Sequence, residues 1–317
     1  MRGEFDIVNT DVTVANVKRI SHEQSLLEEA RICELHELAS DLIHSARDIF
    51  DEVEIHDVLS VISEIDFPLS KSPCDTSNER NRERVKEYLL QLASLDKVVF
   101  CELIHEIFNE KVKRVTEADF LKRDNPDNTF VYVKNPFADE AYDVFSQDYE
   151  NSRVRYAHSF KEASRMISEG AVSFGLVPLE EKGGVRIHSV AQLIFEGDYK
   201  IISVTPVFGF DGSADMKYAL ISKNFVELSG AEGDDRYLEI RIPKDTETPL
   251  CEILFASEYF GHGIYRIGTI SFDTESGPRE FYSVVFRDGG EGFATLLSYL
   301  TLFCASYTAV GIYKNLE

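Results

Sequence analysis

Histidine and cysteine have the widest chemical range of the twenty side chains, and here their spacing argues against the chemistries they serve best. Among the eight histidines are His36, His44, His56 and His105. His36 and His44 are eight residues apart and so fall near one face of a helix. No HExxH pair and no matching set of carboxylates accompanies them, so the pattern predicts no metal and no cofactor. The five cysteines (Cys33, Cys74, Cys101, Cys251 and Cys304) are odd in number and far apart. None has metal-ligand or redox spacing, and they read as buried or idle thiols in a reducing compartment. No nucleophile elbow is present to organise a Ser/His/Asp arrangement. Gly289-Gly290 precedes a helix without the context of a phosphate loop, and the other glycine clusters read as turns.

The elements that would position any site fall into three blocks. Residues 22–115 read as helix. Leu26, Leu27, Ala30, Leu35, Leu38, Ala39, Leu42, Ile43 and Phe50 recur at helical spacing between Glu23 and Val53. Pro68 and Pro73 punctuate a polar loop. Ser77 or Asn78 caps a second helix through Leu95, and Asp96 a third. From 129 the pattern changes to strand-helix alternation: TFVYV, a helix over 137–147, RVRYA, and a helix capped by Ser159 and closed by Gly170. VSFGLVPL, a short helix from Ser189 and two strands (199–210 and 216–222) follow. That order predicts a mainly parallel sheet with helices on its faces. From Arg236 the chain reads βαββαβ, a ferredoxin-like split βαβ unit. The expected boundaries are 1–21 for an N-terminal tail, 22–125 for a helical domain, 126–230 for an α/β lobe and 231–317 for the terminal unit.

Bulk properties exclude whole classes of partner. The chain has 317 residues, too many for one small domain. With 56 acidic and 33 basic side chains its net charge is −23. Such a surface repels phosphate backbones and anionic lipid, so neither nucleic acid nor membrane is an expected partner. No apolar run has signal-peptide or membrane-spanning length, and a cytoplasmic protein is expected.

The stretch FKEASRMISEGAVSFGLVPLEEKGGVRIHSVAQLI (160–194) resembles a conserved region of prephenate dehydratases, with Gly175, Val177, Pro178 and Glu180 matching residue by residue. The terminal βαββαβ unit resembles the ACT domain that follows in that family. The N-terminal helices stand where bifunctional members carry an AroQ-type chorismate mutase. In order along the chain, the resemblance is to the bifunctional chorismate mutase–prephenate dehydratase family of phenylalanine biosynthesis, in a degenerate form. It implies an α+β multidomain protein: all-α helices, half of a dehydratase, and an ACT domain.

The departures from that family shape the functional expectation. Met216-Lys217-Tyr218 stands where the family has Thr-Arg-Phe, and methionine cannot hydrogen-bond a leaving hydroxyl. Lys134-Asn135-Pro136-Phe137-Ala138 replaces Gly-Pro-x-Gly-Thr, and Glu181-Lys182 replaces Asn-Ser/Thr. DGSAD (211–215) alone joins two strands between which the family inserts a second lobe. Pro178, Glu180, Glu181 and Lys217 are thus motif remnants. The resemblance implies ligand binding, regulation or assembly without dehydratase activity. The alternative is an active chorismate mutase, with Arg31, Arg47, Arg82 and Glu83 holding a dianionic substrate. The competing reading of these arginines is as surface or interhelix salt-bridge residues. Thr248-Pro249-Leu250-Cys251 and Gly268-Thr269-Ile270-Ser271 replace the phenylalanine-sensing ACT motifs. Leu250, Gly263 and Ile264 are left as candidate lining for a small apolar pocket. The expected ligands are chorismate, prephenate or an aromatic amino acid. The expected protein partner is a second copy, joined through the helical and ACT regions.

Overall fold

The structure is a computed structural model that describes residues 4–49, 89, 91–121, 123–124, 127–209, 214–226, 236–246, 248–304 and 306–316. The chain divides into two compact units, Met1–Val115 and Thr116–Glu317.

In the first unit, helix α1 spans Glu4–Ile49 and helix α2 spans Ser94–Lys111. Leu35, Ala39, Leu42, Ile43 and Ala46 form the buried stripe of α1, and Val98, Cys101, Ile104, Ile107 and Phe108 are buried on α2. The recurrence at three and four residues is that of a helix with one covered face. Helix α1 begins well inside the stretch read from sequence as a tail. Once a packed segment has nucleated a helix, each added residue gains a hydrogen bond at little cost, so the helix outruns its apolar stripe. Most of the second expected helix lies outside the described residues. The third begins at Ser94, two residues ahead of Asp96.

The second unit is built on a mixed sheet. Its strands are β2 (Thr129–Val133), β3 (Arg153–Ala157), β4 (Phe174–Glu181), β5 (Val185–Arg186), β6 (Lys200–Phe208), β7 (Ala214–Ser222), β9 (Arg236–Pro243), β10 (Gly263–Thr274), β11 (Gly277–Arg287) and β12 (Thr308–Asn315). Strands β1 (Arg123–Asp124) and β8 (Phe225–Val226) pair separately. The order is β10-β11-β9-β12-β6-β7-β4-β2-β3, with β5 on β4. The expected mainly parallel arrangement is corrected by β7, which runs antiparallel between β4 and β6. Strands β2, β3 and β4 remain parallel neighbours.

Among the described residues, five α-helices cover this sheet: α3 (Pro136–Phe145), α4 (Phe160–Ser168), α5 (His188–Glu196), α6 (Leu250–Tyr259) and α7 (Ala294–Phe303). Helix α4 starts where expected. The Ser159 side chain accepts from the Glu162 N–H at 3.2 Å, and Gly170 beyond its end takes φ +70°, the conformation that ends many helices. Gly175 lets α4 approach closely, because a Cβ there would stand 2.6 Å from Ile167 Cδ1. Alternation along β9 divides two cores. Tyr237 packs with α4 and α5, whereas Leu238, Ile240 and Ile242 pack with α6 and α7. The terminal βαββαβ segment keeps antiparallel neighbours throughout. Strand β12 also pairs in parallel with β6, so one sheet runs through both the lobe and the terminal segment.

Candidate functional site

Helix α5 is nine residues long and presents Val190, Ala191 and Ile194 to the sheet. Beneath it lies a cavity of about 80 Å³, walled by α5, β5, β9, β10 and β11. The period of two along β9 sends Glu239 and Arg241 to this side while Leu238, Ile240 and Ile242 fill the opposite core. Strand β11 adds Ser283, β10 adds Arg266 and Thr269, and β5 adds Arg186.

The carboxylates of the site are committed to two of its arginines. Glu239 is only 2% exposed. It accepts from Arg186 Nη2, from the Ser283 hydroxyl at 3.4 Å and from the Tyr313 hydroxyl at 3.4 Å. Glu180 is ion-paired with Arg186, Nε to carboxylate oxygen at 3.2 Å, and accepts a hydrogen bond from Arg266 Nη1. A register shift between Pro178 and Glu180 lets Glu180 reach this cluster. Proline has no N–H for the ladder, and irregular pairing of this kind is where strands accept it. Burial works against the Arg186 charge, but Glu239, Tyr313 and Glu180 outweigh it and raise its pKa.

Arg241 is different. It is 7% exposed, and its guanidinium carbon stands 4.8 Å from the Phe272 ring centre and 5.9 Å from that of Phe195. Among the described residues its guanidinium makes no hydrogen bond and no ion pair. Burial pulls its pKa down to about 10, with Glu239 and Asp198 opposing and Arg186 reinforcing the shift. Arg241 therefore remains a cation at neutral pH, in a place where charge is costly. The cluster holds three guanidinium groups against two carboxylates.

A second buried cluster joins Arg236 to Glu117 and, at 3.2 Å, to Asp288. The Asp288 carboxylate also accepts from the Gly290 and Gly292 N–H groups, and Glu117 accepts from the Phe293 N–H at 2.9 Å. These bonds fasten the β11–α7 connection. His262 stands beside them, its Nδ1 4.0 Å from Asp288, and burial lowers its pKa.

The residues singled out from sequence fall in several places. Arg31 pairs with Asp96 of α2, Arg47 is exposed on α1, and Arg82 and Glu83 lie outside the described residues. Leu250 and Ile264 border the same core as α6 and α7, while Gly263 begins β10. Pro178 pairs with Tyr218, Glu180 with Lys217, and Glu181 with Met216 across β4 and β7. Met216 borders the aromatic core that includes Phe130, Tyr132 and Phe174. Stretches 134–138 and 216–218 do meet, since the Tyr218 hydroxyl donates to Asn135 Oδ1 at 3.4 Å. Asn135 also caps α3, accepting from the Ala138 N–H at 3.0 Å. Of the remnants, Glu180 alone enters the arginine cluster. Arg186, Glu239, Arg241 and Arg266 were not anticipated. The signal was present in Leu238-Glu239-Ile240-Arg241-Ile242, where two charges share one strand face, but a strand with one covered face gives the same pattern.

Among the described residues no group of histidine, cysteine and carboxylate side chains could hold a metal ion, and no helix is long and apolar enough to cross a membrane.

No protein-family model matches the chain, and no curated protein matches it. Solved structures do. A prephenate dehydratase from Streptococcus mutans is 15% identical over 60% of this chain and 99% of its own, with a TM-score of 0.47. A prephenate dehydratase from Arthrobacter aurescens in complex with L-Phe is 13% identical over 59% of this chain and 90% of its own, with a TM-score of 0.43. The quorum-quenching acylase GqqA is 13% identical over 59% of this chain and 95% of its own, with a TM-score of 0.42. At these values the likeness assigns the chain to no family.

Proposed function

We propose that this protein acts in ligand binding, regulation or assembly in aromatic amino-acid metabolism, as a chorismate mutase–prephenate dehydratase-like protein without dehydratase activity. The observation that carries this reading is the direct succession of β6 and β7. They pair antiparallel from Lys200↔Ser222 to Phe208↔Ala214, and only residues 209–213 lie between them. No second lobe is inserted at that point of the sequence, and the resemblance then implies that the opposing wall of a dehydratase cleft is missing. Catalysis by excluded water and fixed dipoles needs both walls. Met216, at the position of the family's threonine, supplies no hydrogen-bond donor.

The alternative of an active chorismate mutase is less well supported. It would need Arg31, Arg47, Arg82 and Glu83 on one cavity, whereas Arg31 is taken by Asp96 and Arg47 is exposed. Self-association through the helical and ACT-like regions belongs to the same proposal. Ile20, Leu26, Leu27 and Ile32 are exposed along α1, and Tyr265 and Ile267 along the edge strand β10, surfaces of the kind that a second copy covers.

The test is a pair of assays on purified protein, following phenylpyruvate formation from prephenate and the loss of chorismate. Neither reaction is expected above background. Prephenate turnover abolished by substitutions within 174–182, or saturable chorismate turnover lost in Arg31→Ala and Arg47→Ala, would overturn the proposal. Light scattering at micromolar concentration is expected to give at least a dimer mass.

A further inference from the structure

We propose that the cavity beneath α5 is a binding site for a single carboxylate on a small, largely apolar body, and that Arg241 is its principal partner. This rests on the reading of the protein as one that binds a ligand, and it names the ligand's chemistry.

Three observations converge on it. First, Arg241 is buried and lacks a partner. Phe272 and Phe195 lie against the guanidinium, but its five N–H donors find no protein partner among the described residues. Second, the charges of the cluster do not cancel. Glu180 and Glu239 offset two of the three positive charges of Arg186, Arg241 and Arg266. The surplus favours an anion as ligand, and Asp198, a further carboxylate acting on Arg241, favours a monoanion over a dianion. Third, the cavity of about 80 Å³ has room for a small ligand. A short-chain carboxylate is such a ligand. Ala191, Ile194 and Ile270 line the apolar side, and Thr269 supplies a hydroxyl. A carboxylate fits a guanidinium fork in two parallel hydrogen bonds, a geometry that a neutral amide cannot reproduce in full.

A buried cation that lacks a partner costs stability, and replacement by an apolar side chain of similar shape often removes that cost. A site kept for binding therefore differs from a structural one in its variants. Arg241→Met should lose the ligand while the unliganded protein melts at or above the wild-type temperature.

The experiment is calorimetric titration of the full chain with 2-methylpropanoate, with its neutral amide, and with inorganic phosphate. The wild type is expected to bind the carboxylate saturably and at least tenfold more tightly than either the amide or phosphate. Arg241→Met should weaken that binding at least tenfold. Ala191→Leu, which fills the cavity and leaves every charge in place, should do the same and serves if Arg241→Met does not fold. Equal binding of carboxylate and amide, binding that survives Ala191→Leu, or tighter binding of phosphate would overturn the proposal. Formation of phenylpyruvate from prephenate would instead overturn the broader reading and leave this site standing.

Discussion

Arginines of the helical unit and arginines of the sheet unit live under opposite conditions. Arg31 keeps 50% of its side chain exposed while it meets Asp96, and Arg47 is exposed. Arg186 has 16% of its side chain exposed between Glu180 and Glu239, and Arg241 is more buried still. Residue type is the same throughout. What differs is whether the carrying element is covered on one face or two. A helix packed along one stripe leaves its long side chains in water. Strand β9 is covered by α6 and α7 on one side and overlain by α5 on the other, so even its alternate, charged positions lose contact with solvent. The same guanidinium that is a solvated surface charge on α1 becomes, on β9, a group whose placement must be answered by chemistry.

The strongest way to test this contrast is to remove one carboxylate from each unit. Glu239→Ala leaves Arg186 without its main partner and removes the nearest compensation for Arg241. Breaking a buried pair in this way costs about 3–5 kcal/mol, and we expect that loss in denaturant unfolding. A loss below about 1 kcal/mol would mean that water reaches the cluster freely and that the two units do not differ.

Covering both faces of a sheet also leaves backbone with nowhere to yield. At Gly311, where β12 lies between β6 and β9, a Cβ would stand 2.5 Å from the Ile201 carbonyl oxygen. Gly311→Val should therefore cost about 1–3 kcal/mol through displaced strands. Gly268→Ala, where a Cβ meets nothing within 4 Å, is expected to stay within about 0.5 kcal/mol. If the two variants melt together, the β12–β6 junction is looser than its geometry implies.

Burial in the sheet unit should also appear as a dependence on pH. His262 faces Asp288, Glu117 and Glu291, and Arg236 is paired with the first two of these. Burial outweighs the carboxylates and lowers the histidine's pKa in the folded state. The unfolded chain then binds more protons than the folded one, so stability rises with pH in this range. Read downwards, stability is lost as pH falls below the unfolded value of about 6.5 towards the lower, folded one. Unfolding midpoints measured from pH 7.5 down to 5.5 should decline, and His262→Gln should flatten that decline. An unchanged slope in the variant would remove His262 as the cause.

Much of the sheet unit was legible in the sequence because its signals are local. Ser159 and Gly170 mark the ends of α4, TFVYV is a run of β-formers, RVRYA alternates polar and apolar residues, and βαββαβ follows from the order of elements. Two features were not legible, and both depend on contacts distant in sequence. The antiparallel insertion of β7 between β4 and β6 is a matter of pairing, which periodicity does not encode. The arginine cluster draws Glu180, Arg186, Glu239, Arg241 and Arg266 from four strands. No two of these residues form a motif, and burial of the charged face of β9 depends on a helix some fifty residues upstream. The sequence resemblance pointed to Glu180 for a different reason, as a remnant of a dehydratase motif. The structure shows the same carboxylate engaged by Arg186 and Arg266.

The smallest effect is expected where the contrast predicts almost none. Arg31 joins α1 to Asp96 in the first turn of α2, with 50% and 13% of the two side chains exposed. Solvent screens the pair, and fixing a long side chain consumes entropy, so exposed pairs of this kind contribute about 0.2–1 kcal/mol. Asp96 also keeps a second source of stabilisation when Arg31 is gone, because a carboxylate in the first turn of a helix interacts favourably with its N-terminal dipole. Arg31→Ala should therefore cost no more than about 1 kcal/mol, and the cost should shrink as salt is added. Asp96→Ala should cost slightly more, since it removes both interactions. A loss of about 3 kcal/mol or more for Arg31→Ala, insensitive to salt, would place that arginine in a buried site. The distinction between the helical and sheet units would then fail at its weakest point, and the mutase alternative would regain the arginine it most needs.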